Sequence, residues 1–350
     1  MFRNTRLRAR WPMRPSVATF ILAALGVAAT GTAGVAQTGD DFYKGKIISV
    51  MIGYGVGGSD DLWARLVAKH IGDYIPGHPT ILPVNVPGAG SLLLANQITN
   101  TQPKDGTVIG EINRGIPFEP LLGGLSVRFD PLKLSFVGSP DRDTAVCVTS
   151  KTAPVQTLDD LYAKELIVGA TGSGADTEVY PSFLKNLLGM KFKVISGYPG
   201  SREINLAIER NEVQGICVSY DTIARENIFQ TGAVHVLFQA ALQPDARLAG
   251  IPTASSLAKT DQQRQALDLF LARTNVGRPF IAPPGVPADR LMILRTAFEQ
   301  AMKNPALIQE AESSGLHPLY IAPDTLQASV ADAYKMPPDI VALTKKALGH

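Results

Sequence analysis

The sequence predicts an α/β protein of two lobes around a cleft, and three observations predict it. Strand-like runs alternate with helical ones through residues 47–115 and meet in glycine-rich loops. The alternation restarts near residue 145 with its own loops of glycine and hydroxyl residues. An apolar run at 275–282 then leads into a helical tail, which returns the chain to its first unit. Strands alternating with helices build parallel, helix-covered sheets, and two crossings between two such units make a hinge. The expected division is residues 1–36 as an export signal, 37–143 with 277–350 as lobe 1, and 144–276 as lobe 2.

The most informative stretch is Ile47 to Arg65. A β-branched apolar run reads as a buried strand and stops abruptly at Gly53-Tyr54-Gly55-Val56-Gly57-Gly58. Ser59, Asp60 or Asp61 then caps a helix whose apolar face begins at Leu62, Leu66 and Val67. This strand–loop–helix unit aims unpaired N–H groups and the positive end of a helix dipole at one point, where an anion fits. Gly53-x-Gly55-x-x-Gly58, with Asp73 beyond it, also satisfies a dinucleotide fingerprint.

Pro76-Gly77 ends this helix. Thr80–Val86 is a second strand, with Pro83 predicting an edge position. Pro87-Gly88-Ala89-Gly90-Ser91 opens a second helix, and Thr107–Ile112 is a third strand ending at Asn113-Arg114-Gly115. Ligands sit at the carboxyl ends of strands in such sheets, which puts these three loops on one rim. In the second half, strands at 145–149, 166–170, 193–195, 213–218 and 234–238 alternate with helices. Their loops are Thr171-Gly172-Ser173-Gly174, Gly197-Tyr198-Pro199-Gly200-Ser201 and Ser219-Tyr220-Asp221.

Arg3, Arg6, Arg8, Arg10 and Arg14 precede an apolar run from Val17 to Val27 and the small residues Gly34 and Ala36, the pattern of a secretory signal peptide. Its removal turns the formal charge of +2 into −3, so no basic patch for nucleic acid remains. Export also argues against a soluble nicotinamide cofactor. Cys147 and Cys217, in apolar strands, either pair or stay as buried thiols. The five histidines are dispersed, with no metal-binding spacing, and neither a Gly-x-Ser-x-Gly elbow nor a phosphate-binding Walker loop occurs. Asp141-Arg142-Asp143 and Asp159-Asp160 read as solvated turn and helix-start residues, and Trp63 as core. Nothing argues for an enzyme, a cofactor or a metal.

A carboxylate-binding clamp uses all the loops. Loop N–H groups, hydroxyls and helix termini can together hold a carboxylate at about micromolar affinity. No arginine is then obligatory: Arg114 either pairs a second carboxylate or makes a surface salt bridge. Tyr54 and Tyr198 either close over the ligand or pack.

The chain resembles the substrate-binding receptors of tripartite tricarboxylate transporters, the Bug-type periplasmic receptors. Gly57-Gly58-Ser59-Asp60-Asp61-Leu62-Trp63-Ala64-Arg65 is similar to the family's Gly-Gly-x-x-Asp-x-x-Ala-Arg segment, and Pro87-Gly88-Ala89-Gly90 to its Pro-Gly-Ala-Gly-Gly loop. Lys104-Asp105-Gly106-Thr107, Phe129-Asp130-Pro131, Gly197-Tyr198-Pro199-Gly200-Ser201, Ile251-Pro252-Thr253 and Ala282-Pro283-Pro284-Gly285-Val286-Pro287 follow in the family's order. Val56, Ser91 and Pro199 depart from its pattern. The resemblance implies a type II periplasmic binding fold and a monomeric receptor that hands a di- or tricarboxylate, or an aromatic acid, to membrane transporter subunits. The alternative is a periplasmic sensor or enzyme on the same clamp. The ligand contacts implied, with those read from the rims, are Tyr54, Gly58, Ser59, Ala89, Gly90, Ser91, Asn113 and Arg114 on one side. Thr171, Gly172, Ser173, Tyr198 and Ser219 face them, with Asp61 as a cap or loop brace.

Overall fold

The structure, a computed structural model, describes residues 42–123 and 126–350. The expected export signal, residues 1–36, lies outside them. Among the described residues no helix is long and apolar enough to cross a membrane.

Two five-stranded sheets form the frame. The first runs β2 (Thr80–Asn85), β1 (Ile47–Ile52), β3 (Val108–Glu111), β10 (Phe280–Ala282) and β4 (Ser135–Gly138). The second repeats this plan with β7 (Phe192–Ser196), β6 (Leu166–Ala170), β8 (Gly215–Ser219), β5 (Ala145–Ser150) and β9 (Val234–Ala240). In each sheet three strands run parallel, and the fourth in spatial order lies antiparallel to its neighbours. Pro83 sits on the edge strand β2, where a missing N–H costs no ladder bond.

Side chains alternate across the sheets as strand geometry requires. Ile48, Val50 and Ile52 pack on one face with Trp63, Val67 and Phe298, while Met51 joins Leu94, Ile98 and Ile281 on the other. The helices α1 (Ser59–Ile71) and α2 (Leu92–Asn100) cover these two faces. In the second sheet Ala145 and Cys147 face one cluster, and Val146 and Val148 face another. Each sheet thus has its own two-sided core, as a lobe must.

Two short crossings join the sheets, one after β4 and one before β10. Gly277 has φ +61°, and a Cβ there would lie 1.9 Å from the Asp141 carbonyl oxygen, so only glycine lets the crossings touch. The Arg278 N–H donates to Ser139 Oγ (2.9 Å), and that hydroxyl donates to the Asp141 carbonyl (3.0 Å). The crossings are stitched together by a glycine and one serine hydroxyl before any charge is counted.

The helix Pro338–Leu348 does not belong wholly to lobe 1. Ile340 enters a first-sheet core, but Ala347 is buried in a second-sheet core, and Asn186 Nδ2 donates to the Ala347 carbonyl (2.9 Å). Its apolar residues at 340, 343 and 347 form one stripe long enough to bury against both lobes.

Cys147 and Cys217 stand directly opposite each other on β5 and β8 and are joined by a disulfide, which resolves the two readings of this pair. The bond closes a 70-residue separation inside the second core. Replacing both cysteines by alanine should therefore cost roughly 2–4 kcal/mol of stability. Denaturant unfolding checks this: the variant and the reduced protein should both shift to a lower midpoint, and an unchanged midpoint would contradict the bond's contribution.

Candidate functional site

A cavity of about 580 Å³ lies where the strand-end loops of the two sheets converge. Its first wall grows from β1. A Cβ at Gly53 would lie 2.2 Å from the Ser91 Cβ, so glycine is required where the two loops cross. Helix α1 begins after Gly58 with no side-chain cap, correcting the expectation that Ser59, Asp60 or Asp61 caps it. Its first-turn N–H groups have no intrahelical acceptor, and Gly58, Ser59 and Asp60 line the cavity.

Asp61 instead reaches backward. Its Oδ2 accepts from the Gly57 N–H (3.0 Å), while Oδ1 accepts from Arg65 Nε (2.9 Å) and Asn85 Nδ2 (2.8 Å). Asn85 Nδ2 also donates to the Tyr54 carbonyl (2.9 Å). The glycine loop is held from behind, and this carboxylate is spent on the loop itself.

The second loop has three consecutive residues in the left-handed region, Ala89, Gly90 and Ser91, at φ 45°, 56° and 69°. Two of them bear a Cβ, a strained arrangement of the kind that collects at functional sites. Ala89 and Gly90 line the cavity; Ser91 does not. Its hydroxyl is fully buried and accepts from the Asn113 N–H (2.6 Å), fixing the third loop to the second. Asn113 then donates through Nδ2 to Tyr54 Oη (2.5 Å) and accepts at Oδ1 from the Gly115 N–H (2.6 Å). Tyr54, Asn113 and Arg114 all line the cavity.

Opposite them stand Thr171, Gly172, Ser173 and Ser219. Tyr198 is absent from the lining; it packs against the core behind β8. The two walls touch. A Cβ at Gly90 would lie 2.7 Å from the backbone of Gly174, and Ser59 Oγ is 2.6 Å from Thr222 Oγ1.

The charged groups are where sequence reasoning fell short. Arg114 makes no surface salt bridge: it is 3% exposed and pairs with Asp143 and Asp176, each at 2.5 Å. Asp176 opens the helix Asp176–Leu188 of the second lobe, so this pair spans the cleft. Asp141 and Asp143 are not solvated turn residues but buried ones. Both face Arg278, which donates from Nη1 to Asp141 and from Nη2 to Ser59 Oγ (2.8 Å) and Ser219 Oγ (3.0 Å). Asp143 Oδ2 lies 3.4 Å from Arg278 Nη2 and accepts from Ser219 through Oδ1 (2.6 Å). Two acids flanking an arginine in a turn resemble a solvated cluster in one dimension. Only the return crossing, which brings Arg278 from 137 residues away, makes them partners.

Asp60, Asp143, Asp176 and Arg278 all line the cavity and were not expected there. A Gly-Arg-Pro run immediately before a buried strand was the available signal for Arg278. Burial, opposed by Arg278, pushes the Asp60 carboxyl above its usual range. Burial, reinforced by Asp60, drives Glu111 well above its own. Burial also works against ionisation of Asp176, but Arg114 and Arg273 outweigh it and hold that carboxyl low.

Residues 64–343 match the family described as tripartite tricarboxylate transporter family receptor. The chain is 26% identical over 306 residues to a UPF0065 protein encoded in the gbd 5' region of Cupriavidus necator, covering 85% of this chain and 86% of that one. It is 24% identical over 286 residues to a UPF0065 protein of Bordetella pertussis, covering 79% and 83%. Among solved structures it is similar to the periplasmic binding protein BugD (TM-score 0.69, 20% identity, 87% of this chain and 98% of that one). It is also similar to MatC from Rhodopseudomonas palustris with bound malate (TM-score 0.66, 18% identity, 85% and 99%). Rpa4515 of R. palustris, with adipate, aligns with TM-score 0.66 at 17% identity, covering 85% and 97%. The two lobes, their repeated strand order and the paired crossings agree with the type II periplasmic binding architecture. The chain belongs to the tripartite tricarboxylate transporter receptor family.

Proposed function

We propose that this receptor captures a small organic carboxylate in the periplasm and delivers it to a tripartite tricarboxylate-type membrane transporter. The observation that carries this reading is the convergence of an uncapped helix start, a strained glycine loop and several hydroxyls on one cavity between the lobes. In this reading the N–H groups at Gly58, Ser59, Ala89 and Gly90 take the carboxylate. Charge-assisted hydrogen bonds of this kind are about twice as strong as neutral ones. The Ser59 hydroxyl adds a donor, while Thr171, Ser173 and Ser219 face the remainder of the molecule from the other lobe. That relatives of this fold are described with bound malate and adipate supports the substrate class. Asp61 takes no part in binding in this reading; it keeps the loop N–H groups aimed.

Thermal-shift and calorimetric screening against mono- and dicarboxylates and aromatic acids should raise the melting temperature for at least one of them. A flat response across the panel would remove the reading's main support. Ser59→Ala should weaken the best ligand by about tenfold, the loss of one hydrogen bond to a charged group. Gly90→Val should leave the cores intact yet weaken binding by about tenfold or more, because its side chain forces the loops apart. Unchanged affinity there would mean that the contact between the loops does not matter. Asp61→Asn should keep affinity within a few-fold, and complete loss with the fold intact would assign Asp61 to the ligand.

A further inference from the structure

Glu111 ends β3 at a core position. Its partners across the sheet are Ile52 on β1 and Phe280 on β10, and residues opposite each other in a ladder share a face. Ile52, Phe280 and Ile109 belong to the apolar cluster beneath α1, so the Glu111 carboxyl stands on the helix side of the sheet. The Glu111 carbonyl accepts from the Gly53 N–H (3.1 Å), which sets the residue directly behind the first glycine loop. Its side chain is completely buried, and neither carboxyl oxygen accepts from an N–H or hydroxyl donor among the described residues. A carboxyl in such a place is far cheaper to bury protonated than ionised.

The groups that face it do not relieve this. Asp60, from the first turn of α1, lies within hydrogen-bonding reach of the carboxyl. Tyr54 faces it from the loop after β1, and Asp141 from the crossing after β4. The cation that faces it is Arg278, which donates to Asp141, Ser59 and Ser219 and stands 3.5 Å from Asp60 through Nε. One guanidinium cannot balance three carboxylates. Asp141 has its direct contact with Arg278, and Asp60 has Nε and a place on the cavity wall. Glu111 has neither.

We propose that Glu111 is a positioning residue that keeps its proton at neutral pH and donates it to Asp60, so that the wall beneath the start of α1 carries one negative charge instead of two. The proposal deepens the carboxylate reading above and rests on it for the effect on binding. Gly58, Ser59 and Asp60 belong to the same helix start and line the cavity, so an arriving carboxylate meets the charge of this pair. Loss of the shared proton adds a second negative charge there and removes a donor to Asp60, and both oppose capture. A bound anion favours the protonated pair, so affinity is full where the pair holds its proton and falls as pH rises through its titration. Folding follows the same sign. The unfolded chain releases this proton in the ordinary glutamate range, so the stability that it contributes declines from that range upward until Glu111 ionises.

Two measurements test this. Denaturant unfolding of ligand-free wild type and Glu111→Gln is followed from about pH 5 to about pH 9. Glutamine keeps a donor to Asp60 but cannot ionise, so the variant's midpoint should gain on that of the wild type as pH rises. Midpoints that stay parallel would overturn the proposal. Calorimetric titration with succinate and with malate over the same range, in buffers of different ionisation heat, reads the coupling to binding. Wild-type affinity should fall with rising pH, by at most about tenfold per pH unit, and binding should take up a fraction of a proton. Glu111→Gln should hold the wild type's low-pH affinity throughout, with the uptake lost. A pH-independent wild type, or a variant with the wild-type profile, would overturn the coupling and leave carboxylate capture standing. If neither acid binds, carboxylate capture loses its support while the unfolding series still decides the Glu111 proton. Should the variant fold poorly, the infrared carboxylic-acid C=O band of the folded wild type decides: it should persist at neutral pH, and its absence would overturn the proposal.

Discussion

The rest of the structure depends on the buried cation of Arg278. It sits in the return crossing and touches groups from three other places: Asp141 and Asp143 in the outward crossing, Ser59 at the start of α1, and Ser219 at the end of β8. Taking a guanidinium and two carboxylates out of water costs several kcal/mol per ion, which mutual attraction repays only when geometry and further hydrogen bonds are complete. The two serines provide such bonds here. The net stabilisation of such a cluster is small, and its effect is one of position. An arginine bound to two acids and two serines fixes where the crossings, the helix start and the far strand meet. Gly277 makes this possible by letting the crossings approach at backbone distance.

From that fixed point the site follows by exclusion. Ser59 is held by Arg278, so α1 starts at a defined place with its first-turn N–H groups uncapped. Asp61 leaves them free and is turned back onto Gly57, Arg65 and Asn85. Ser91 is turned away from the cavity and accepts from the Asn113 N–H. Asp61 and Ser91 are thus used to hold backbone, and they leave main chain of the two loops lining the cavity. Preorganised N–H groups need little rearrangement when an anion arrives, which is why a loop can bind tightly without offering a charge of its own.

Much of this was legible in the sequence. Strand–glycine–helix units are local: a β-branched run, a glycine cluster and an amphipathic helix lie within twenty residues, so β1, β2, β3 and their loops could be read in order. Pro83 marked its strand as an edge for the same local reason. The charged network could not be read this way. Asp141 and Asp143 look solvated until Arg278 arrives, and Arg114 looks like a surface residue until Asp176 arrives from the other lobe. The roles of Ser91 and Tyr198 failed on direction, since sequence places a residue in a loop but does not say which way its side chain points. The helix Pro338–Leu348 failed on topology, because one apolar stripe can be shared between two cores.

The same network explains why arginines in the cleft are poor guides to the charge of the guest. An arginine lining a cavity usually suggests an anion, but that inference holds only for a guanidinium with donors to spare. Arg114 spends its charge on Asp143 and Asp176, and by doing so ties the third loop of one lobe to the first helix turn of the other. Arg278 spends its charge on the crossings. What the cavity presents beside these pairs is the main chain of the two glycine loops on one side and, on the other, the exposed side chain of Arg202 and the hydroxyls of the second lobe. In the carboxylate reading, recognition then rests on loop N–H groups, and not on the count of basic residues around the cavity.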